Sequence, residues 1–338
     1  MEHIACRVKW MKAVTTTQVV LIIGIIIIAG AVGVYFLYPR PKTQLIVSTT
    51  TSLYETGMLD LLKERFEQNY PGYNVSFISQ GTGKAIATAK NGDADMILVH
   101  DPIQELAFLS DGYGVNRKII AYNFFIIVGP SNDPAGIQGK SPLEALMLIK
   151  AAGEGGDAQW VSRGDNSGTH AMEKRLWTAA GFDYAQLIAE HGTWYVESGT
   201  GMTATLSLAN EKNAYTLSDV ASYLKNSKEG NIELTKLVDA WKETLNVYCA
   251  IACNPEKLPG TKFDAAMTFI RFLLLDETQE LFRTFGVEDF GEALFKPWIP
   301  LKTSNSNPEL VQWIEEYAYF EGSECPTQYR YNAGNLYG

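Results

Sequence analysis

The sequence predicts an α/β fold of two lobes preceded by an N-terminal transmembrane helix. Three observations carry that expectation. Residues 19–38 form a run of 20 residues without a charge. Beyond it, short β-rich runs alternate with segments whose apolar residues recur at helical spacing, the rhythm of a mostly parallel sheet with helices on both faces. Two apolar strands, 124–128 and 247–253, run into prolines at Pro130 and Pro255, which reads as two crossings between lobes. A length of 338 residues also fits two lobes better than one core.

The apolar run is long enough to cross a hydrocarbon layer of ~30 Å as a helix. Arg7, Lys9 and Lys12 precede it, so residues 1–18 stay cytoplasmic and the body faces outward. Cleaved signals usually have a shorter apolar core, and this run ends in Tyr35, Phe36 and Tyr38, residues suited to a headgroup layer. An uncleaved single-pass anchor is the expected reading. The alternative is a cleaved signal and a secreted or periplasmic body. Residues 39–43, with Pro39 and Pro41, bar helix continuation and form a short stalk.

The first 42 residues carry a net charge of +4, against -10 for the whole chain, which leaves -14 on the body. That sign excludes a nucleic-acid-binding face. A hydrophobic content of 46% with 20% charged residues excludes a disordered chain. Cys6 would be cytoplasmic, while export would let Cys325 pair with Cys249 or Cys253 and leave one free thiol. No second cysteine pair supports a zinc site, and no metal or cofactor is expected.

In the body, residues 45–48 read as a buried strand, followed by a helix from Met58 to Phe66 that stops at Tyr70-Pro71-Gly72. Strand 75–78, helix 84–90, strand 96–99 and helix 103–110 continue the pattern. After strand 124–128 comes a second unit: helix 141–152, strand 159–162, helix 169–180, strand 194–197, and helices 202–211 and 217–224. Strand 247–253 and helices 263–275, 277–285 and 308–320 return to the first lobe. The expected boundaries are 44–128 with 247–338 for lobe I and 129–246 for lobe II.

Three polar loops each leave an expected strand and open a helix: residues 48–52 (STTTS), 79–83 (SQGTG) and 162–169 (SRGDNSGT). Helix starts expose unpaired N–H groups at the positive end of the macrodipole, glycine admits an anion close to the backbone, and hydroxyls add donors. Together the loops form a constellation suited to a small tetrahedral oxyanion. Each also has a plainer reading as a helix cap; Ser52 through Glu55 fits a capping box. Arg163 reads either as a cleft cation, solvated until an anion arrives, or as the partner of Asp165. After strand 96–99, His100 and Asp101 either orient groups at the site or cap a helix. Asp165, Ser167 and His170 superficially offer a catalytic relay, but lie within one turn entering a helix and cannot adopt its geometry.

The strings TTTSLYETGML, SQGTGKAIATAKNGDADMILVHDP and VSRGDNSGTHAMEKRLWTAAGF, with WYVESGTGMTATLSLANEKNAYTLSD and NVYCAIACNP, resemble the tungstate-binding TupA-type substrate-binding proteins of ABC transporters. The likeness spans roughly residues 44–300; the tail after 301, with Cys325, extends beyond it. It implies a type II periplasmic-binding fold that is not an enzyme, holds tungstate between its lobes and delivers it to an ABC permease. It carries anion contacts onto Thr50, Thr51, Ser52, Thr82, Gly83, Arg163, Ser167, Gly168 and Thr169. Which of Thr49, Thr50 and Thr51 makes the contact stays open. Molybdate or phosphate is the alternative ligand, the third loop also resembling the R-x-D-x-S-G-T loop of phosphate-binding proteins. A more distant alternative is an anchored ectodomain enzyme acting on a phosphoryl group.

Overall fold

The computed structural model describes residues 15–17, 20–21, 23–25, 41–190 and 192–337. Residues 1–42 and residues 43–338 form two separate units. In the first, the described residues Val20, Leu21, Ile23 and Ile25 are helical, with 51–65% of their surface exposed. Most of the expected span 19–38, like residues 1–14, lies outside the described residues. No helix among the described residues is long and apolar enough to cross a membrane.

The body opens with β1 (Thr43–Thr50), α1 (Thr51–Glu55), α2 (Met58–Asn69), β2 (Tyr73–Gln80), α3 (Thr82–Lys90), β3 (Met96–Val99) and α4 (Pro102–Ser110). The long strand β4 (Gly114–Gly129) leads into α5 (Pro142–Gly155), β5 (Trp160–Ser162), α6 (Gly168–Ala179), α7 (Tyr184–Glu190), β6 (Tyr195–Glu197), α8 (Met202–Glu211), β7 (Tyr215–Asp219), α9 (Val220–Lys228) and β8 (Thr235–Val238). The chain returns through β9 (Leu245–Cys253), α10 (Phe263–Leu274), α11 (Asp276–Thr284), α12 (Val287–Phe290), β10 (Lys296–Pro297), α13 (Trp298–Ser304) and α14 (Pro308–Ala318).

The strands follow the order β2-β1-β3-β9-β4-β7-β5-β6, with β8 and β10 also against β4. β1 pairs in parallel with β2 and β3, and β5 with β6 and β7. The middle departs from the mostly parallel expectation: β9 runs antiparallel to β3 and β4, and β4 antiparallel to β7 and β8. β4 carries the chain out of the first half and β9 brings it back, so the two crossing strands run in opposite directions.

β4 joins the two halves. Its residues up to Phe124 pair with β9, and those from Phe125 pair with β7. The partner change thus falls inside β4 and at the start of β9. All 16 residues of β4 are buried. Its polar start, Asn116-Arg117-Lys118, is covered by the C-terminal tail: Glu324 takes Lys118 and the Ile119 N–H, and Asn116 exchanges two hydrogen bonds with Tyr331.

Each half has its own core. Leu45, Val47, Leu62, Phe66, Phe269 and Phe272 pack between the first-half sheet, α2 and α10. Phe125, Trp160, Trp177 and Trp194 centre the second. Residues 217–224, expected as one helix, are the end of β7 and the start of α9, because the buried alternation Tyr215-Leu217 serves the sheet. Cys249, Cys253 and Cys325 are buried free thiols, so neither of the disulfides allowed by export is formed.

Candidate anion-binding site

The three loops expected from sequence converge. Loop 1 follows β1, which ends where its partner strands β2 and β3 end, so the chain must turn there. The Thr49 hydroxyl is spent on the Leu98 carbonyl at 3.1 Å. Thr50, not Ser52, is the N-cap of α1, its Oγ1 accepting the Leu53 N–H at 3.4 Å. The capping-box reading of Ser52 is thereby corrected. Ser52 is buried, with its hydroxyl 3.4 Å from His100 Nε2, while Thr51 turns its Oγ1 toward Arg163.

Loop 2 leaves β2 and enters α3 through Gly81, which offers no side-chain cap. Thr82, the first helical residue, is fully buried and its hydroxyl has no hydrogen-bond partner. A Cβ on Gly81 would come 3.7 Å from the Asp165 carbonyl, and one on Gly83 would come 3.8 Å from the Asn166 carbonyl. Loop 2 thus lies directly against loop 3.

Loop 3 reverses direction through two left-handed residues, Gly164 (φ +61°) and Asn166 (φ 56°). At Gly164 a Cβ would also sit 2.8 Å from the Glu197 side chain, so only glycine fits. Ser167 caps α6 by accepting the His170 N–H at 3.2 Å. The first turn leaves the N–H groups of Gly168 and Thr169 without an intrahelical acceptor. Thr169 repeats the feature of Thr82: its hydroxyl is buried and unpartnered.

Arg163 is buried, 2% exposed, rather than a solvated cleft cation. Its Nη2 donates to Asp165 Oδ2 at 2.5 Å and to Thr51 Oγ1 at 3.4 Å, and its Nε donates to the Thr200 carbonyl at 3.2 Å. The ion pair with Asp165 therefore exists, and the same guanidinium links loop 3 to loop 1. Asp165 Oδ1 accepts the Ser167 N–H, so both carboxylate oxygens are engaged.

A fourth segment, Ser198-Gly199-Thr200-Gly201 between β6 and α8, completes the enclosure and was missed. Its carbonyl holds Arg163, its Gly199 N–H donates to the Arg163 carbonyl at 2.9 Å, and Thr203 just beyond donates to Glu55. The signal was available, since Ser-Gly-Thr-Gly stands between a strand and a helix like the other three.

His100 packs its ring against Gly168, where a Cβ would lie 2.4 Å from the ring. Asp101 caps α4 through the Ile103 N–H and also holds Gln104 and Arg175 of α6. No relay joins Asp165, Ser167 and His170: Ser167 Oγ is bound to backbone, and the His170 ring bonds the Asn166 N–H and Tyr184. No cluster of three or more metal-ligating side chains occurs among the described residues.

Burial pulls the His100 imidazole from 6.5 down to about 4, the nearby Asp101 carboxylate offsetting only part of this. The folded value lies below the unfolded one. The stability held by the neutral ring, about 3 kcal/mol, is therefore complete above pH 6.5 and lost as pH falls toward 4. Urea melts at pH 7, 5 and 4 check this: His100→Asn should lose visibly less stability over that range than the parent.

The PBP superfamily domain model matches residues 38–277. The tungstate-binding protein TupA of Peptoclostridium acidaminophilum is 36% identical over 258 residues, which span 76% of this chain and 87% of that protein. The solved tungstate-binding protein TupA from Desulfovibrio alaskensis G20 shares 39% identity, covers 76% of this chain and 99% of its own, and superposes with a TM-score of 0.64. The solved tungstate ABC transporter structure from Geobacter sulfurreducens shares 40% identity over 72% of this chain and 98% of its own, with a TM-score of 0.63.

Proposed function

The chain belongs to the TupA family of tungstate-binding proteins within the PBP superfamily, and from that premise we propose that it captures tungstate outside the cytoplasm and hands it to an ABC permease. One observation supports this reading most directly. The Thr82 and Thr169 hydroxyls are buried without a partner at the starts of α3 and α6. A buried hydroxyl left unbonded costs about 1–3 kcal/mol, and a bare tetrahedral dianion would satisfy both.

In this account Thr50, Thr51, Ser52, Thr82, Gly83, Arg163, Ser167, Gly168 and Thr169 supply the anion's contacts. Lobes 44–128 with 247–338 and 129–246 close around it, excluding water so that neutral donors and one cation count for more. Binding needs no nucleophile or general base, which is why a transport role is favoured over phosphoryl chemistry. Molybdate, with the same charge and nearly the same size, is the closest competitor.

Tungstate should stabilise the body by about 4 kcal/mol at a thousandfold excess over Kd. A thermal melt unchanged by tungstate would contradict the function. The apolar run 19–38 is proposed as a single-pass anchor, so the mature protein should fractionate with membranes and retain that run. An N-terminal sequence beginning between residues 30 and 45 would instead leave a released periplasmic or secreted receptor.

A further inference from the structure

Behind loop 3 lies a set of polar groups that the anion does not reach. Glu173 on α6 is 1% exposed, and its carboxylate takes four donors: Trp160 Nε1 at 2.9 Å, Trp177 Nε1 at 3.3 Å, Ser162 Oγ at 2.7 Å and Tyr195 O–H at 2.6 Å. Ser162 Oγ in turn accepts the Gly164 N–H at 3.2 Å. On the other side of Asp165, the Asn166 N–H donates to His170 Nδ1 at 3.0 Å. The His170 proton must then sit on Nε2, which lies 2.9 Å from the Tyr184 hydroxyl. Tyr184 lies 2.9 Å from Tyr195, whose own proton is already committed to Glu173, so Tyr184 donates.

Two one-way chains of donors therefore start at the backbone N–H groups on either side of Asp165 and end on one buried carboxylate. Burial pushes the Glu173 carboxyl up while its four donors pull it back, and with the carboxylate ionised every proton along the chains has a single place. An apolar side chain would fill the Glu173 position without the several kcal/mol that a buried charge costs. A carboxylate there points to a use for the charge.

We infer that Glu173 and His170 are positioning residues for anion binding: the ring they close fixes the backbone of residues 164–166 and, through it, Arg163. The inference rests on the anion-binding reading of loop 3. Its consequence is proton-sensitive. A second proton on His170 would face the Asn166 N–H, and the chain would open at that point. Burial and Lys174 pull the His170 ring down to about 4, against Asp165; Arg163 in the loop adds to the lowering, and Tyr184 of α7 faces the other nitrogen. The ring therefore stays closed at neutral pH and opens in acid.

The test compares tungstate affinity for the parent, His170→Asn, His170→Ala and Tyr195→Phe at pH 7 and pH 4.5, with anion-free melts run alongside. Asparagine can still accept the Asn166 N–H and cannot take a second proton. Alanine and phenylalanine variants should bind roughly 10- to 100-fold more weakly at pH 7, on the scale set by outer-shell partners of metal ligands. His170→Asn should recover most of that loss and should weaken less than the parent on going to pH 4.5. Comparing proteins at each pH cancels the anion's own protonation. A parent that binds tungstate while all three variants match it at both pH values overturns the inference alone. A parent that does not bind tungstate overturns the functional reading, and the inference with it.

Discussion

Replacing both Thr82 and Thr169 with valine should weaken tungstate binding by about 2–6 kcal/mol, a loss of roughly 30-fold to more than 10,000-fold. Valine keeps the branched shape and removes only the hydroxyl. Both hydroxyls are buried and unpartnered in the anion-free protein, so removing them relieves an unsatisfied group. The variant should therefore melt at the same temperature as the parent or slightly higher while losing affinity. Opposite movement of stability and affinity is the signature of a group held ready for a ligand. Calorimetric titration paired with thermal melts reads both. Normal binding by the double valine variant would remove these two contacts from the site.

Arg163→Ala should be the most damaging single change, costing about 1.5–3 kcal/mol or more of affinity. It removes the one cation of loop 3, and it also leaves the Asp165 carboxylate unneutralised beside the incoming dianion. Anion-free stability should fall as well, because the guanidinium holds Thr51, Asp165 and the Thr200 carbonyl together from a buried position. A solvated arginine would have left stability unchanged. The double variant Arg163→Ala with Asp165→Asn should regain part of the affinity by removing the repulsion. Equal affinities for the single and double variants would show that Asp165 is not near the bound anion.

The alternation of strands and helices was legible because strands such as 96–99, 124–128 and 247–253 are continuous apolar runs buried on both faces and the helices carry clear stops. The loops were legible because glycine and hydroxyl residues stand where a strand gives way to a helix. What stayed hidden depends on distant partners. The first half of β4 contains Asn116-Arg117-Lys118, which no local pattern marks as strand. These residues are buried only because Glu105 pairs with Arg117 and Glu324 arrives from the far end of the chain. The antiparallel seam is equally non-local, since β9 pairs with strands more than a hundred residues away. The cap at Thr50 rather than Ser52 turns on where β1 ends, a matter of two residues that its pairing with β2 decides.

Selectivity follows from the protonation of the ligand. Phosphate keeps at least one proton near pH 7 and needs an acceptor, whereas tungstate is a bare dianion that needs donors only. Two nearby carboxylates are committed: Asp101 to its helix cap, Gln104 and Arg175, and Asp165 to Arg163 and the Ser167 N–H. Asp219, within electrostatic reach of Arg163, caps α9 through Oδ1 and keeps Oδ2 buried without a partner. The most direct measurement is competition calorimetry at pH 7, titrating tungstate into protein saturated with phosphate. The account predicts that tungstate displaces phosphate with at least a thousandfold advantage. Phosphate that binds as tightly as tungstate, and loses that affinity in Asp219→Asn, Asp101→Asn or Asp165→Asn, would contradict it.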